Sequence, residues 1–142
     1  MGFRLSIAGS ENISLNETIV RDVKFGADIP KDSNARSTDL GATLIIVGKI
    51  LAAVGGEAAD DTMKMAKWAL VPAENADCYR QVQVDIIAAS QVVRRVNLPN
   101  AFVIGYEEDF ADESGVGTFT LIVKQKKDKM KNLSFEGGFA GE

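Results

Sequence analysis

Two segments constrain this chain more than any others. One runs from Arg94 to Glu108 and the other from Gly117 to Lys127. In the second, Phe119, Leu121 and Val123 alternate with Thr118, Thr120 and Ile122, which is the period of a strand with one inward face. The same period runs through Tyr79–Ala89, where Val82, Val84 and Ile86 alternate with Gln81, Gln83 and Asp85. A chain patterned this way must pair strands and bury one side of them. The residues suit building a sheet, and they include no catalytic set.

The remaining segments extend this reading. Phe3–Ala8 alternates as a short strand, and Gly9–Asn12 reads as a turn. Leu15–Ala27 reads as a second strand, with Ile19, Val20, Val23 and Phe25 as its apolar positions. Ile29–Asp39 is polar and carries Pro30, so it is expected to be an exposed loop, long for a hairpin connection and suited to contact. Ala42–Ala53 reads as a buried strand, with a buried helix as the competing reading, and Gly55-Gly56 interrupts the chain. Asp60 or Asp61 can cap a helix that runs to Leu70, placing Met63, Ala66 and Leu70 on one face and Trp68 on a neighbouring stripe. Pro72 stops it. Val92–Val96 is a further strand, Pro99 marks a bend or edge, and Ala101–Glu107 and Thr118–Gln125 form an antiparallel pair joined by an acidic turn. From Lys126 the tail is basic and then glycine-rich, and is expected to be exposed or ordered only by a partner. Six or seven strands and one helix predict a mainly β (α+β) fold: an antiparallel β-barrel or two-sheet sandwich with one flanking α-helix.

Composition removes several functions. With 142 residues, 46% of them hydrophobic, the chain suits one domain with a core. It has no histidine, which excludes Ser-His-Asp and Cys-His catalysis and histidine zinc ligation. A single cysteine, Cys78, excludes an intrachain disulfide. A net charge of −4 argues against nucleic acid as a primary partner. The N-terminus shows no secretory h-region, and the longest apolar run, Leu44–Val54, is too short to span a bilayer. Gly41–Ile50 fails as a P-loop because Ile50 stands where a magnesium-binding hydroxyl is needed. The Met1-Gly2 myristoylation pattern and three glycosylation sequons are read as chance matches. No cofactor is expected and no metal, although the acidic cluster of Glu107, Glu108, Asp109, Asp112 and Glu113 has the oxygen chemistry of a calcium site. That cluster reads as a solvated turn or a docking surface for a basic patch on another copy. Lys124, Lys126, Lys127, Lys129 and Lys131 supply the matching basic run. Arg94 and Arg95 are placed for pairing with Glu107 and Glu108 across strands.

The order of elements carries a resemblance. The early strands, the polar loop Ile29–Asp39, the single helix at about Asp61–Leu70 and the closing strands Tyr79–Lys126 resemble the tube proteins of contractile injection machines. These are the haemolysin-coregulated protein (Hcp) of type VI secretion systems and the related phage tail tube proteins. Asn100–Glu108 followed by Gly115–Leu121 is similar to the last hairpin of that group, and the likeness extends over Phe3–Asp128. The chain departs from many secretion-system members in its sparse aromatic and absent histidine content, which leaves the phage-tail-like and extracellular branches equally open.

The resemblance implies a barrel domain over 1–128 with an exposed tail over 129–142. It implies a structural, non-enzymatic homo-oligomer: hexameric rings stacked into the inner tube, with sheath, baseplate or spike proteins as further partners. Synthesis and assembly would be cytoplasmic, followed by expulsion as tube or incorporation in a phage-like particle. Subunit contacts are expected at Pro30, Lys31, Asp32, Asn34 and Arg36 of the loop, at Glu107, Glu108 and Asp109, and at Lys124, Lys126 and Lys127. The alternatives are a baseplate or hub component of the same machines, or a small-ligand-binding β-barrel with an apolar cavity.

Overall fold

A computed structural model describes residues 1–29, 40–50, 61–112 and 116–137. The strands are β1 (Gly2–Ala8), β2 (Ile13–Leu15), β3 (Val20–Asp28), β4 (Gly41–Ile50), β5 (Arg80–Ala88), β6 (Gln91–Phe110), β7 (Gly117–Gln125) and β8 (Ser134–Gly137). Among the described residues the α-helix is α1 (Thr62–Ala69), which precedes β5, and 3-10 turns span Ala76–Cys78 and Lys127–Asn132. The mainly β architecture with a flanking helix is therefore present.

All the strands belong to one antiparallel sheet in the order β2-β1-β5-β6-β7-β4-β3, with β8 added to β6. The sheet cannot be flat. Seven strands laid flat would hold β2 and β3 about 29 Å apart, at about 4.8 Å per spacing. Those two strands are joined only by Asn16–Ile19, a link that reaches no more than about 17 Å even when extended. The sheet therefore curls until its ends meet. β1 contacts β3, and the Lys49 amide donates to the Ile19 carbonyl at 2.8 Å. Inside lies one continuous core: Leu5 and Ile7 from β1, Leu44 and Ile46 from β4, Val82 and Val84 from β5, Phe119, Leu121 and Val123 from β7, and Met65 and Trp68 from α1.

Several expectations are corrected. Leu15–Ala27 is two strands, because Asn16 turns the chain. Its side-chain oxygen accepts from the Thr18 amide and hydroxyl, and its carbonyl accepts from the Ile19 and Val20 amides. Conversely, Val92–Val96 and Ala101–Glu107 are halves of one 20-residue strand, β6. Pro99 is tolerated inside it because the β5 register slips there, from Val82↔Leu98 to Arg80↔Ala101. On the opposite edge it falls between the partners β8, which reaches Asn97, and β7, which starts at Ala101, so no ladder bond is lost. The acidic residues Glu107, Glu108 and Asp109 are strand residues, not turn residues, since they pair with Thr120, Phe119 and Thr118.

The helix also turns a different face inward. Thr62, Met65 and Trp68 are buried, while Met63 is 62% and Leu70 is 83% exposed. Trp68 decides this, being the largest side chain to bury and having an indole N–H that finds the Cys78 carbonyl at 3.0 Å. Asp61 does not cap the helix with its side chain. That carboxylate instead accepts from the Ser14 amide at 2.9 Å and pairs with Lys64 at 3.3 Å, tying α1 to β2. The chain beyond Lys126 turns through Lys127–Asn132 and adds β8 to β6, with Val96↔Phe135 and Arg95↔Glu136 in register. β8 is exposed, yet it is ordered by its own chain. The Gly55-Gly56 break lies outside the described residues.

Candidate subunit interface

The barrel has two chemically different outer surfaces. Across β2, β1, β5, β6 and β8 the pairing aligns Ser14, Ser6, Gln83, Asn97 and Ser134 in one uncharged polar row. The neighbouring row is Arg4, Asp85, Arg95 and Glu136, which alternates in sign. Arg95 grips Asp85 with two bonds, at 2.8 and 3.2 Å, and lies 3.7 Å from Glu136, while Arg4 reaches Glu17 at 3.2 Å. Arg94 and Arg95 thus do not pair with Glu107 and Glu108. All four lie on β6, where strand separation along one chain replaces the expected cross-strand contact.

The β6–β7 hairpin is bipolar. Glu107, Glu108 and Asp109 crowd one end, with Glu108 accepting from the Tyr106 hydroxyl at 2.7 Å. Lys124, Lys126 and Lys127 stand at the other. Lys124 lies 3.3 Å from Asp28 on β3. Lys126 places its ammonium 4.9 Å from the Tyr79 ring centre and 3.8 Å from Asp128, and its amide donates to Asn100 at 2.9 Å. Lys127 opens the 3-10 turn. Asp109 pairs with Thr118, and eight residues of extended chain separate Thr118 from Lys126, so the two charged ends are about 26 Å apart. They cannot neutralise each other within one subunit. The loop residues Pro30, Lys31, Asp32, Asn34 and Arg36 lie outside the described residues.

Beside the acidic end, α1 and β6 leave an open groove of about 420 Å³ whose lining mixes polar and apolar surface, with Ala66, Ala69, Leu70, Val103, Ile104, Gly105, Tyr106 and Glu108 around it. Its floor exists because β6 bulges between Val103 and Gly105, which turns Ile104 out of the ladder. Beyond the basic end, Phe25 and Phe135 meet edge to face at 5.0 Å, both partly exposed. The patterning alone does not separate the exposed Leu70, Ile104, Phe25 and Phe135 from core positions.

A buried ionic cluster closes the barrel near α1. Arg80 is 5% exposed and stands in register with the inward Val82 and Val84. It donates to the Asp77 carboxylate at 2.6 and 3.2 Å and to the Ser10 hydroxyl at 3.2 Å, and lies 5.4 Å from the Trp68 ring. The guanidinium and, after it, the Ser10 hydroxyl hold the Asp77 carboxyl down to about 2. An arginine at an inward position of an alternating strand is the signal by which sequence reading could have found this cluster. Its environment is that of a structural plug. A pocket beside α1 of about 160 Å³, lined by Trp68, Val71, Cys78 and Phe102 among others, is below the size of a small-molecule site. Among the described residues no three His, Cys, Asp or Glu side chains are grouped to hold a metal ion, and no helix is long and apolar enough to cross a membrane.

Solved structures share this fold over nearly the whole chain. Hcp1 from Flavobacterium johnsoniae superposes with a TM-score of 0.58 at 18% identity, covering 97% of both chains. The chain has the Hcp-like tube-protein fold. A component of the anti-feeding prophage baseplate aligns with a TM-score of 0.57 at 10% identity, over 96% of this chain and 93% of that one. A chain from the sheath-tube complex of the PVC extracellular contractile injection system gives 0.52 at 11% identity, over 96% and 89%. No family model matches the sequence, and no curated protein matches it. At these identities the tube-protein fold is carried by pattern and topology, with few residues in common.

Proposed function

We propose that this chain is a structural subunit that self-assembles into hexameric rings, stacked as the inner tube of a contractile phage-tail-like or type VI-like apparatus. The observation that carries the reading is the bipolar hairpin on a tube-protein fold. A subunit with an acidic end and a basic end about 26 Å apart is built to meet copies of itself head to tail, as rings and tubes require. Glu107, Glu108 and Asp109 then face Lys124, Lys126 and Lys127 of a neighbour, and the loop carrying Pro30, Lys31, Asp32, Asn34 and Arg36 supplies further contact. The compensated outer rows leave little net charge to attract unintended partners. The role is architectural, without catalysis, and the partners beyond the tube are sheath, baseplate or spike components. Assembly takes place in the cytoplasm, before expulsion or release within a particle. In this role residues 1–128 are the barrel domain and 129–142 an appended segment.

The likeness to a chain of the anti-feeding prophage baseplate favours one second reading, a baseplate ring component. Electron microscopy and native mass measurement of purified protein test both. Stacked annular tubes are the outcome expected of a tube subunit. Isolated rings that never stack indicate the baseplate role, and a strict monomer at high concentration overturns both.

A further inference from the structure

We infer that β8 is an exchangeable strap: it leaves its own barrel and seats in the same place on β6 of a second copy. This deepens the self-assembly reading, since it rests on copies meeting and names a segment that passes between them.

The place that β8 fills is defined by β6. One edge of that strand is held by β5, from Gln91 to Ala101. On the other edge β7 pairs from Phe110 back to Ala101, and β8 takes over from Asn97 to Arg94. With β8 gone, the backbone of β6 there becomes an open edge, a template for any strand of matching pattern. The slot reads its occupant by register. Phe135 lies opposite the buried Val96, and Glu136 lies opposite Arg95 at 3.7 Å. The strap of another copy meets every one of these requirements, because it is the same segment.

Chain length supplies the freedom to exchange. β7 ends at Gln125, opposite Ala101, and β8 starts at Ser134, opposite Asn97. The gap between Ala101 and Asn97 on β6 is about 13 Å. The chain from Gln125 to Ser134 would reach about 30 Å if extended. The surplus is wound into the 3-10 turn Lys127–Asn132, which buries no residue and departs from helical geometry at Lys129. Few contacts fasten it. Gln125, buried, accepts from the Asn100 amide at 3.1 Å and donates to the Lys129 carbonyl at 2.8 Å, and Leu133 packs partly against the core. All four residues of β8 are exposed. A segment with so little burial opens without unfolding the barrel. Between copies held side by side the local concentration of slots is high, and each strap released is replaced by another, so exchange loses no strand pairing.

Disulfide trapping in the full chain tests this. With Cys78→Ala removing the native thiol, one chain carries Asn97→Cys and another Ser134→Cys, which are register partners. A chain carrying both changes, oxidised while dilute, is expected to close a bond within itself; failure to close overturns the inference together with the register it depends on. The two single-cysteine chains are then mixed as monomers, concentrated until they assemble, and oxidised. A species of doubled mass on a non-reducing gel is expected from the mixture and from neither variant alone. Ser6→Cys with Ser134→Cys controls for mere proximity, because β5 and β6 stand between β1 and β8; equal trapping there overturns strand exchange. If wild type forms stacked rings and the mixture stays single on the gel, the inference is overturned while the tube reading stands. A trapped dimer that never builds rings supports the strap and overturns the tube reading. A wild type that stays monomeric at every concentration removes both.

Discussion

Arg80 shows how much one side chain can hold in this barrel. Its charge is desolvated, and Asp77 and Ser10 supply the compensation. Removing the carboxylate by Asp77→Ala leaves a buried guanidinium without its anion, and should lower unfolding stability by about 2 kcal/mol in urea titration. The same pair sets an acid limit. Asp77 titrates at about 2 when folded against an ordinary 3.8, so its contribution is complete above about pH 4 and disappears as pH falls toward 2. Thermal midpoints of wild type should drop through that window, and those of Asp77→Ala should drop less. Gly48 is a second such point. A β-carbon there would lie 2.5 Å from the Phe119 ring and 2.7 Å from the Ile19 carbonyl. Gly48→Ala therefore overpacks the seam where β3 and β4 meet, and should cost about 1–3 kcal/mol by the same titration.

At the scale of elements, α1 is held by what it buries. Met65 and Trp68 join the barrel core, and Trp68 is the chain's only tryptophan. Met65→Ala should destabilise by about 2–4 kcal/mol, read through the shift of Trp68 fluorescence on denaturation. The β5–β6 turn carries the opposite opportunity. Ala89 and Ser90 both have positive φ, 52° and 64°, a geometry that favours Asn-Gly. The double change Ala89→Asn, Ser90→Gly should raise stability by about 1 kcal/mol, and an unchanged midpoint would show that the turn is unstrained. The alternation of β5 and β7 was legible because each strand places one face on the core. Leu15–Ala27 was misread because periodicity does not report the Asn16 turn, and β6 was cut at Pro99 because neither the β5 register slip nor the gap between β8 and β7 is a local property.

For the whole molecule, the decisive quantity is charge separation along β6 and β7. Head-to-tail association through acidic and basic ends should weaken as salt screens them. Raising sodium chloride from about 0.05 to 0.5 M should reduce the assembled fraction in sedimentation, and Lys126→Glu with Lys127→Glu should reduce it at low salt. Assembly indifferent to both would leave the charged ends without a role in association.

The sequence by itself determined the fold class, the helix before Pro72, the acidic and basic runs and the absence of histidine chemistry. Each is written in local pattern or composition, where the physics acts over a few residues. Only the tertiary structure decided that the sheet closes, because closure follows from strand order and the short Asn16–Ile19 link. It alone decided that Trp68 and Met65, not Met63 and Leu70, face the core, since a helix turns whichever face its neighbours leave room to bury. It also placed Arg95 on Asp85, set Phe135 against Phe25 and parted the two charged ends, because register between distant strands fixes which side chains meet.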